Sequence, residues 1–192
     1  MPDSTGFSPV KAGPLAGLPV PNGGITMEDR GFLGKVNLRG DAANGGFATA
    51  AGEVLHCALP VEPNTVTSGG DFTVFWLGPD EWQIHCPEDA RHALVRGLQQ
   101  ALAGQHSAVV DVSDYYVVAR LSGDRTLEVL SKGAPIDLHP RAFPIGTCAQ
   151  TRFGHATILL HKLEENMVDL QVRWSFAEYV WCYIVDGTLE YR

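Results

Sequence analysis

The sequence lacks the features that define several classes of protein. No apolar run approaches the roughly 20 residues that a membrane-spanning helix needs. The N-terminus shows no basic segment followed by a continuous apolar one, so we expect no secretory signal. The four cysteines, at positions 57, 86, 148 and 182, form no Cys-x-x-Cys pair, which argues against a disulfide scaffold or a zinc knuckle. The sequence therefore predicts a soluble, cytoplasmic protein with no membrane contact.

Basic residues and nucleotide-binding loops are also scarce. The 192 residues hold 14 Lys+Arg against 22 Asp+Glu, a formal net charge of -8. Binding to a nucleic-acid backbone needs clustered basic side chains, so we expect no nucleic-acid partner. The pairs Gly23-Gly24 and Gly45-Gly46 lack the G-x-G-x-x-G spacing and the Walker lysine, and no G-x-S-x-G elbow is present. These absences exclude the usual dinucleotide sites and the usual acyl-transfer serine.

The first 31 residues differ in composition from the rest. They hold five of the 12 prolines and six glycines. Proline lacks a backbone donor and glycine resists ordering, so this stretch is not expected to build its own core. The sequence predicts an extended arm over 1–31, and two interpretations stay open: a floppy tail, or an arm that docks on a partner. We expect docking on a partner subunit, anchored by Leu15, Leu18 and Val20.

From residue 32 onward, strand-like and helix-like segments alternate. Strands are predicted at 33–38, 72–77, 82–85, 107–112, 115–121, 147–153, 156–161 and 167–173, and helices at 44–57, 87–103, 124–132 and 175–186. Ser122 and Ser175 are predicted to cap the last two helices. The order strand, helix, strand, strand, helix, strand is that of a ferredoxin-like unit, and the second half resembles a modified copy. We therefore predict an α+β domain over 32–192 with two sheet-and-helix halves, about 32–113 and 114–192.

Cys148 and two histidines form the first candidate for chemistry. Cys148 lies on a predicted strand, and His155 and His161 lie on the next. A thiol nucleophile or a metal site is one interpretation. However, histidines six residues apart on a strand lie about 20 Å from each other, so one metal cannot bind both. Free cysteine often packs as a small hydrophobe, and a structural role is favoured.

Two further groups were weighed as sites. Asp111 and Asp114, in the segment Asp-Val-Ser-Asp, could bind a metal or act as a base. A turn in which Asp and Ser bond nearby amides is favoured instead. Four tryptophans could line a flavin or pterin slot, but core or interface positions are favoured; they are Trp76, Trp82, Trp174 and Trp181. We therefore predict no catalytic, cofactor-binding or metal-binding residue in this chain.

An ordered set of stretches resembles the gamma-subunit family of heterotetrameric sarcosine oxidases. The stretches cover nearly the whole chain after residue 31: 33–41 (LGKVNLRGD), 59–65 (LPVEPNT), 76–82 (WLGPDEW), 110–114 (VDVSD), 130–133 (LSKG), 137–143 (DLHPRAF), 148–151 (CAQT) and 173–181. One departure is Ala134, where a cysteine is expected after Lys132-Gly133. No metal or redox site is expected there, so little depends on it.

The resemblance implies a fold, partners and a reaction. The fold would be like that of the folate-binding aminomethyltransferases, the T-proteins of glycine cleavage. The partners would be an alpha subunit with NAD and a folate-binding half, a beta subunit with FAD and a shared FMN, and a delta subunit with zinc. Such a complex demethylates sarcosine to glycine, passes the carbon to tetrahydrofolate and produces hydrogen peroxide. In that family the gamma chain holds none of the reacting groups, so the resemblance implies a non-catalytic, structural subunit.

Two alternatives stay open from the sequence. The chain could be the equivalent subunit of a related oxidase or dehydrogenase that acts on dimethylglycine or N-methylglutamate. It could also be a stand-alone folate-dependent protein of the same fold. The stretch Lys-Gly-Cys-Tyr-x-Gly-Gln-Glu of the iron–sulfur maintenance type is missing, because Lys132-Gly133 continues as Ala134-Pro135-Ile136.

Overall fold

A computed structural model describes residues 11–21 and 23–191. Within these residues the chain forms ten strands and four α-helices. In chain order the elements are β1 Thr26–Asp29, β2 Gly34–Gly40, α1 Gly45–Leu55, β3 Val66–Gly69, β4 Phe72–Gly78, β5 Glu81–Cys86, α2 Arg91–Ala101, β6 Ser107–Asp111, β7 Tyr116–Ser122, α3 Thr126–Ser131, β8 Cys148–Phe153, β9 Ala156–Glu164, β10 Met167–Arg173 and α4 Ala177–Gly187. Short 3₁₀ turns precede α2 and α4 and follow α4.

The strands make two antiparallel sheets of five strands each. The first sheet has the order β3-β4-β5-β2-β6 and the second has the order β1-β7-β10-β9-β8. Helices α1 and α2 pack on the first sheet around Phe47, Leu98 and Trp82. Helices α3 and α4 pack on the second around Leu130 and Ile184. The α+β prediction with two sheet-and-helix halves is confirmed.

The first half is a ferredoxin-like unit with one additional strand. Strands β2, β4, β5 and β6 with helices α1 and α2 follow the split β-α-β order, in which β5 lies between β2 and β4. The additional edge strand, β3, was not predicted. Its sequence Val-Thr-Ser-Gly has no apolar alternation, and it is held by backbone pairing with β4.

The second half repeats this order but takes its outer strand from the start of the chain. Strand β1 pairs with β7, at the position that β6 occupies beside β2 in the first sheet. Ile25 and Met27 are buried in the core, whereas Thr26 and Glu28 are exposed. This alternation is typical of a strand, but the surrounding glycines and prolines obscured it. The predicted boundary at residue 31 is therefore wrong, because β1 belongs to the folded domain.

The segment before β1 also packs on this chain. Leu15 is 6% exposed and lies in the core of the second half. The indole Nε1 of Trp181 donates a hydrogen bond of 2.6 Å to the carbonyl of Pro19. The prediction that the arm docks on a partner and not on its own chain is wrong for this segment. Residues 1–10 and residue 22 of the predicted arm lie outside the described residues.

Two turns with the same hydrogen bonds lie at the starts of β3 and β8, where the two sheets meet. In one, the hydroxyl and the amide of Thr65 both donate to the carbonyl of Glu62. In the other, Thr147 makes the same two bonds to the carbonyl of Pro144. Thr65 and Thr147 form an antiparallel bridge, which brings an edge of each sheet together. The two turns therefore occupy equivalent positions in the two repeated halves.

The two predicted serine caps are not formed. The residue that precedes α3 is Arg125, and the residue that precedes α4 is Phe176; neither makes a side-chain capping bond. The hydroxyl of Ser122 instead bonds that of Thr26 at 2.7 Å, across the pair of β7 with β1. Ser175 lies within the 3₁₀ turn Trp174–Phe176, which directly precedes the first residue of α4. The missed strand β1 thus explains why Ser122 is engaged elsewhere.

Candidate functional site between the two sheets

The inner faces of the two sheets meet in a partly polar contact that we call the seam. It is formed by Phe75 and His85 of the first sheet and by Cys148, Leu159, His161 and Gln171 of the second. The rings of both histidines contact Phe75 edge-on, with centroids 4.7 and 5.0 Å away. The ring Nε2 of His85 and the amide Oε1 of Gln171 are 2.6 Å apart, which links β5 to β10.

A row of five titratable side chains crosses the inner face of the second sheet. Strand register places Glu28 beside Arg120, Arg120 beside Asp169, Asp169 beside His161 and His161 beside Cys148. Directly opposite residues in antiparallel strands have Cβ atoms about 4.5–5.5 Å apart. We call these residues the titratable row. Three of its members, a thiol, an imidazole and a carboxylate, are the groups of a nucleophilic triad.

The thiol of Cys148 is bound away from the imidazole. Its Sγ lies 3.6 Å from the carbonyl oxygens of Thr65 and Trp76, and the side chain is buried. Burial raises the pKa of Cys148 to about 11. Because the thiolate is the nucleophile, a thiol that stays protonated at neutral pH is inert. The structural role favoured for Cys148 is consistent with this geometry.

The carboxylate of the row is also engaged elsewhere. Nε and Nη2 of Arg120 donate to the two oxygens of Asp169 at 2.7 and 2.8 Å. This paired geometry raises the pKa of the Arg120 guanidinium. Burial lowers the pKa of His161, so the imidazole between the carboxylate and the thiol is neutral. The row therefore lacks the hydrogen-bonded relay that activates a nucleophile.

The structure brings only one of the two candidate histidines to Cys148. His161 lies directly opposite Cys148, whereas His155 precedes β9 at the far end of the strand pair. The amide of His155 donates to the hydroxyl of Tyr179, and its ring contacts the same tyrosine. The two histidines therefore do not share a site.

The Asp111–Asp114 segment forms the turn that was favoured from sequence. Oδ1 of Asp111 accepts from the amide of Ser113 at 3.0 Å and from its hydroxyl at 2.5 Å. Arg91 lies 3.8 Å from Asp111 and 3.6 Å from Asp114. Partial burial raises the pKa of Asp111, but the bonds from Ser113 and the charge of Arg91 outweigh it and lower the pKa overall. The segment connects β6 to β7 and thus links the two halves.

The side chain of Lys35 holds the Asp111–Asp114 segment against the first sheet. Its side chain is buried, and Nζ donates to the carbonyls of Leu33 at 2.8 Å and Ser113 at 3.1 Å. Burial lowers the pKa of Lys35 to about 8. A buried amine with two carbonyl partners is satisfied as a donor, so we assign it a structural role.

The four tryptophans do not form one slot. Trp82 is buried in the core of the first half, where Nε1 donates to the carbonyl of Pro60 at 2.8 Å. Trp76 lies opposite Trp82 across the β4–β5 pair. Trp181 is buried in the second half, and Trp174 is 38% exposed at its surface. Core or interface positions were favoured for these residues, and Trp82 and Trp181 lie in the core.

A cleft of about 390 Å³ opens at one end of the seam. It is lined by Arg30, Leu33, Asp71, Thr73, Phe75, His85, Cys86, Pro87, Arg120, His161, Leu163 and Asp169. Neither the cleft nor the titratable row was found from the sequence, because both depend on strand register and on how the sheets face each other. One feature of the sequence does indicate a polar inner face: in β10, Asp169 and Gln171 lie on one face of the strand, and Val168 and Leu170 lie on the other.

Two kinds of feature are absent from the described residues. No helix there is long and apolar enough to cross a membrane. No group of three or more His, Cys, Asp or Glu side chains there could hold a metal ion.

Comparison with known proteins identifies the family. The profile of the sarcosine oxidase, gamma subunit family matches residues 39–190. Sarcosine oxidase subunits gamma from Corynebacterium sp. (strain P-1) and Arthrobacter sp. are 33% and 31% identical over 170 residues, each covering 88% of this chain and 82% of the relative.

Solved structures agree with this assignment. A chain of the heterotetrameric sarcosine oxidase from Corynebacterium sp. U-96 matches with a TM-score of 0.86 and 27% identity, over 94% of this chain and 96% of that one. Aminomethyltransferase T from Bartonella henselae matches with a TM-score of 0.62 and 11% identity, over 85% of this chain and 46% of that one, which shows a shared fold. The resemblance inferred from the sequence is confirmed: the chain belongs to the sarcosine oxidase gamma subunit family.

Proposed function

We propose that this chain is the structural gamma subunit of a heterotetrameric sarcosine oxidase. The observation that carries the proposal is the match to a chain of such a complex, at a TM-score of 0.86 over 94% of this chain. The partners would be alpha, beta and delta subunits in the cytoplasm. The complex would oxidise sarcosine to glycine with tetrahydrofolate as carbon acceptor and release hydrogen peroxide. The relatives, all named for sarcosine, favour this substrate over dimethylglycine or N-methylglutamate.

The chemistry of the seam supports a role without catalysis in this chain. Amine oxidation requires an electron acceptor such as a flavin, which side chains cannot replace. The carboxylate and the thiol of the titratable row are bound to other partners, and Cys148 is protonated at neutral pH. We propose that FAD, FMN, NAD and zinc are held by the other subunits and that no residue here is catalytic, cofactor-binding or metal-binding.

The surface offers side chains suited to holding partners. Tyr115 and Trp174 are exposed where the two halves join, and Val110 is exposed on the nearby edge strand β6. Arg173 stacks over the ring of Tyr115. Tryptophan, tyrosine and arginine are the residues that most often dominate the energy of protein interfaces. We propose that this surface contributes to contacts with the large subunits.

Co-expression with the three partner subunits tests the proposal. We expect a tagged chain to co-elute with the alpha, beta and delta subunits and with both flavins. The complex should produce hydrogen peroxide with sarcosine in preference to dimethylglycine or N-methylglutamate. The chain alone should be colourless and inactive. A stoichiometric yellow chromophore in the isolated chain, or an active complex that forms equally well without it, would contradict the proposal.

Point variants test the proposed contact surface. Tyr115→Ala and Trp174→Ala should weaken co-elution, whereas Thr157→Ala, at an exposed position of β9, should not. If all three variants assemble as the wild type does, the large subunits bind elsewhere. The identity of the complex would then still rest on the co-elution result.

A further inference from the structure

The cleft at the end of the seam carries separated charges that balance. Its lining contains two guanidinium groups, Arg30 and Arg120, and two carboxylates, Asp71 and Asp169. Burial lowers the pKa of His85 to about 4 and also lowers that of His161, so neither imidazole adds charge near neutral pH. The four lining charges sum to zero, and Arg30 is further neutralised by Glu28, which its Nη1 contacts at 2.9 Å, so the lining does not favour a simple anion.

The pair of Arg120 and Asp169 presents a fixed dipole to this cleft. The two hydrogen bonds use Nε and Nη2 of the guanidinium, so Nη1 is left outside the pair. Each carboxylate oxygen still has a lone pair available as an acceptor. The side chains are 25% and 16% exposed, so they are largely withdrawn from water yet still reachable from the cleft. A rigid, partly desolvated donor and acceptor interact more strongly with a ligand than freely hydrated ones do.

The rest of the lining suits a compact ligand with some apolar surface. Leu33 and Leu163 contribute apolar area, whereas Phe75 borders the cleft but is only 2% exposed. Nε2 of His85 is engaged by Gln171, whereas the ring of His161 makes no hydrogen bond to any described residue. A neutral imidazole offers one donor and one acceptor, so His161 is available for a polar contact. Small-molecule sites commonly combine apolar walls with a few convergent polar groups at the boundary between two units.

We propose that this cleft binds a small zwitterionic amino acid. The ligand carboxylate would meet Nη1 of Arg120, and its ammonium group would meet Asp169, so that the ligand dipole opposes the dipole of the pair. His161 would supply an additional hydrogen bond, and the apolar part of the ligand would lie against Leu33 and Leu163. The inference depends on the geometry of this cleft alone and stands or falls separately from the proposed subunit role.

Titration of the full chain with four small probes tests the charge requirement. Glycine and sarcosine are the zwitterionic probes, and acetate and methylamine each carry one of the two charges. At equal ionic strength, we expect saturable shifts in two-dimensional NMR spectra for both zwitterions and at least tenfold weaker binding of acetate and methylamine. Absence of saturation with glycine and sarcosine, or equal binding of acetate or methylamine, would overturn the proposal.

Two tryptophan substitutions on one strand locate the site. Leu163→Trp fills the cleft, whereas Thr157→Trp adds the same ring at an exposed position of the same strand, outside the cleft lining. We expect at least a tenfold loss of affinity in the first variant and no change in the second. Wild-type affinity in a folded Leu163→Trp variant would refute the location.

A conservative variant keeps the test decisive if the tryptophan variant does not fold. Arg120→Lys retains the positive charge but lacks the planar fork that holds Asp169 in two bonds. We expect weaker binding of glycine with a circular dichroism spectrum like that of the wild type. Unchanged glycine affinity in this variant would show that the fixed dipole is not the recognition element.

Discussion

Leu15 provides the sharpest test of whether the N-terminal segment belongs to this domain. It is 6% exposed and packs in the core of the second half, although it lies in a stretch rich in proline and glycine. Truncating a buried leucine to alanine costs about 2–5 kcal/mol, and a site near the surface belongs at the lower end, about 2–3 kcal/mol. For a chain of this size, 1 kcal/mol lowers Tm by about 2–4 °C. We therefore expect Leu15→Ala to lower Tm by about 4–12 °C.

Val20→Ala is the matched control, because Val20 lies in the same segment and is 70% exposed. We expect it to change the free energy of unfolding by no more than about 0.5 kcal/mol. Both variants can be compared by urea unfolding followed by tryptophan fluorescence, with thermal unfolding as a second measure. If Leu15→Ala is as stable as Val20→Ala, the segment does not pack on its own domain, and the assignment of the arm to a partner would be restored.

Three further predictions concern buried groups. Lys35 loses its proton near pH 8 in the folded chain but near 10.5 when unfolded, so the unfolded state binds more protons between these values and stability rises with pH there. Lys35→Met should abolish this pH-dependent part of the stability. Urea unfolding between pH 7 and pH 10 should then show a smaller rise in the free energy of unfolding for the variant than for the wild type. Cys148 should react with a disulfide reagent at least 100-fold more slowly than the exposed Cys182, by mass spectrometry of labelled peptides; equal rates would contradict the burial of Cys148. Gly69→Ala should destabilise the chain by about 1–3 kcal/mol, because an added Cβ would lie 2.3 Å from the carbonyl oxygen of His56; an unchanged urea midpoint would refute this close contact.

The sequence predicted elements whose side chains carry a clear period. The strand β10 was predicted at 167–173 and is found at Met167–Arg173, because Val168, Leu170 and Val172 alternate with polar residues. The α+β class and the repeat of the two halves followed from the order of such elements. Local pattern was sufficient wherever one face of an element packs on a core.

Elements held by the backbone or by distant partners were not predictable in this way. The edge strand β3 has little apolar content and is defined by its pairing with β4. The paired residues of β1 and β7 are 90 to 96 positions apart in the sequence, so no local pattern identifies the pair. Ser122 has the composition of a helix cap but bonds to Thr26 of β1. In each case, a tertiary partner far away in the sequence determined the local structure.

The titratable row shows why residue types alone could not decide the chemistry of this chain. The register of two strand pairs, β10 with β9 and β9 with β8, aligns a carboxylate, an imidazole and a thiol as neighbours, in the order that a nucleophilic site requires. Whether such a set reacts depends on which atoms hold each proton. Here Arg120 binds the carboxylate of Asp169, and Cys148 faces backbone carbonyls, so the imidazole of His161 is hydrogen-bonded to neither. The two hydrogen bonds between Arg120 and Asp169 prevent a proton relay, and they also create the dipole at the cleft. For this reason, the inner face of the second sheet is better suited to binding than to catalysis.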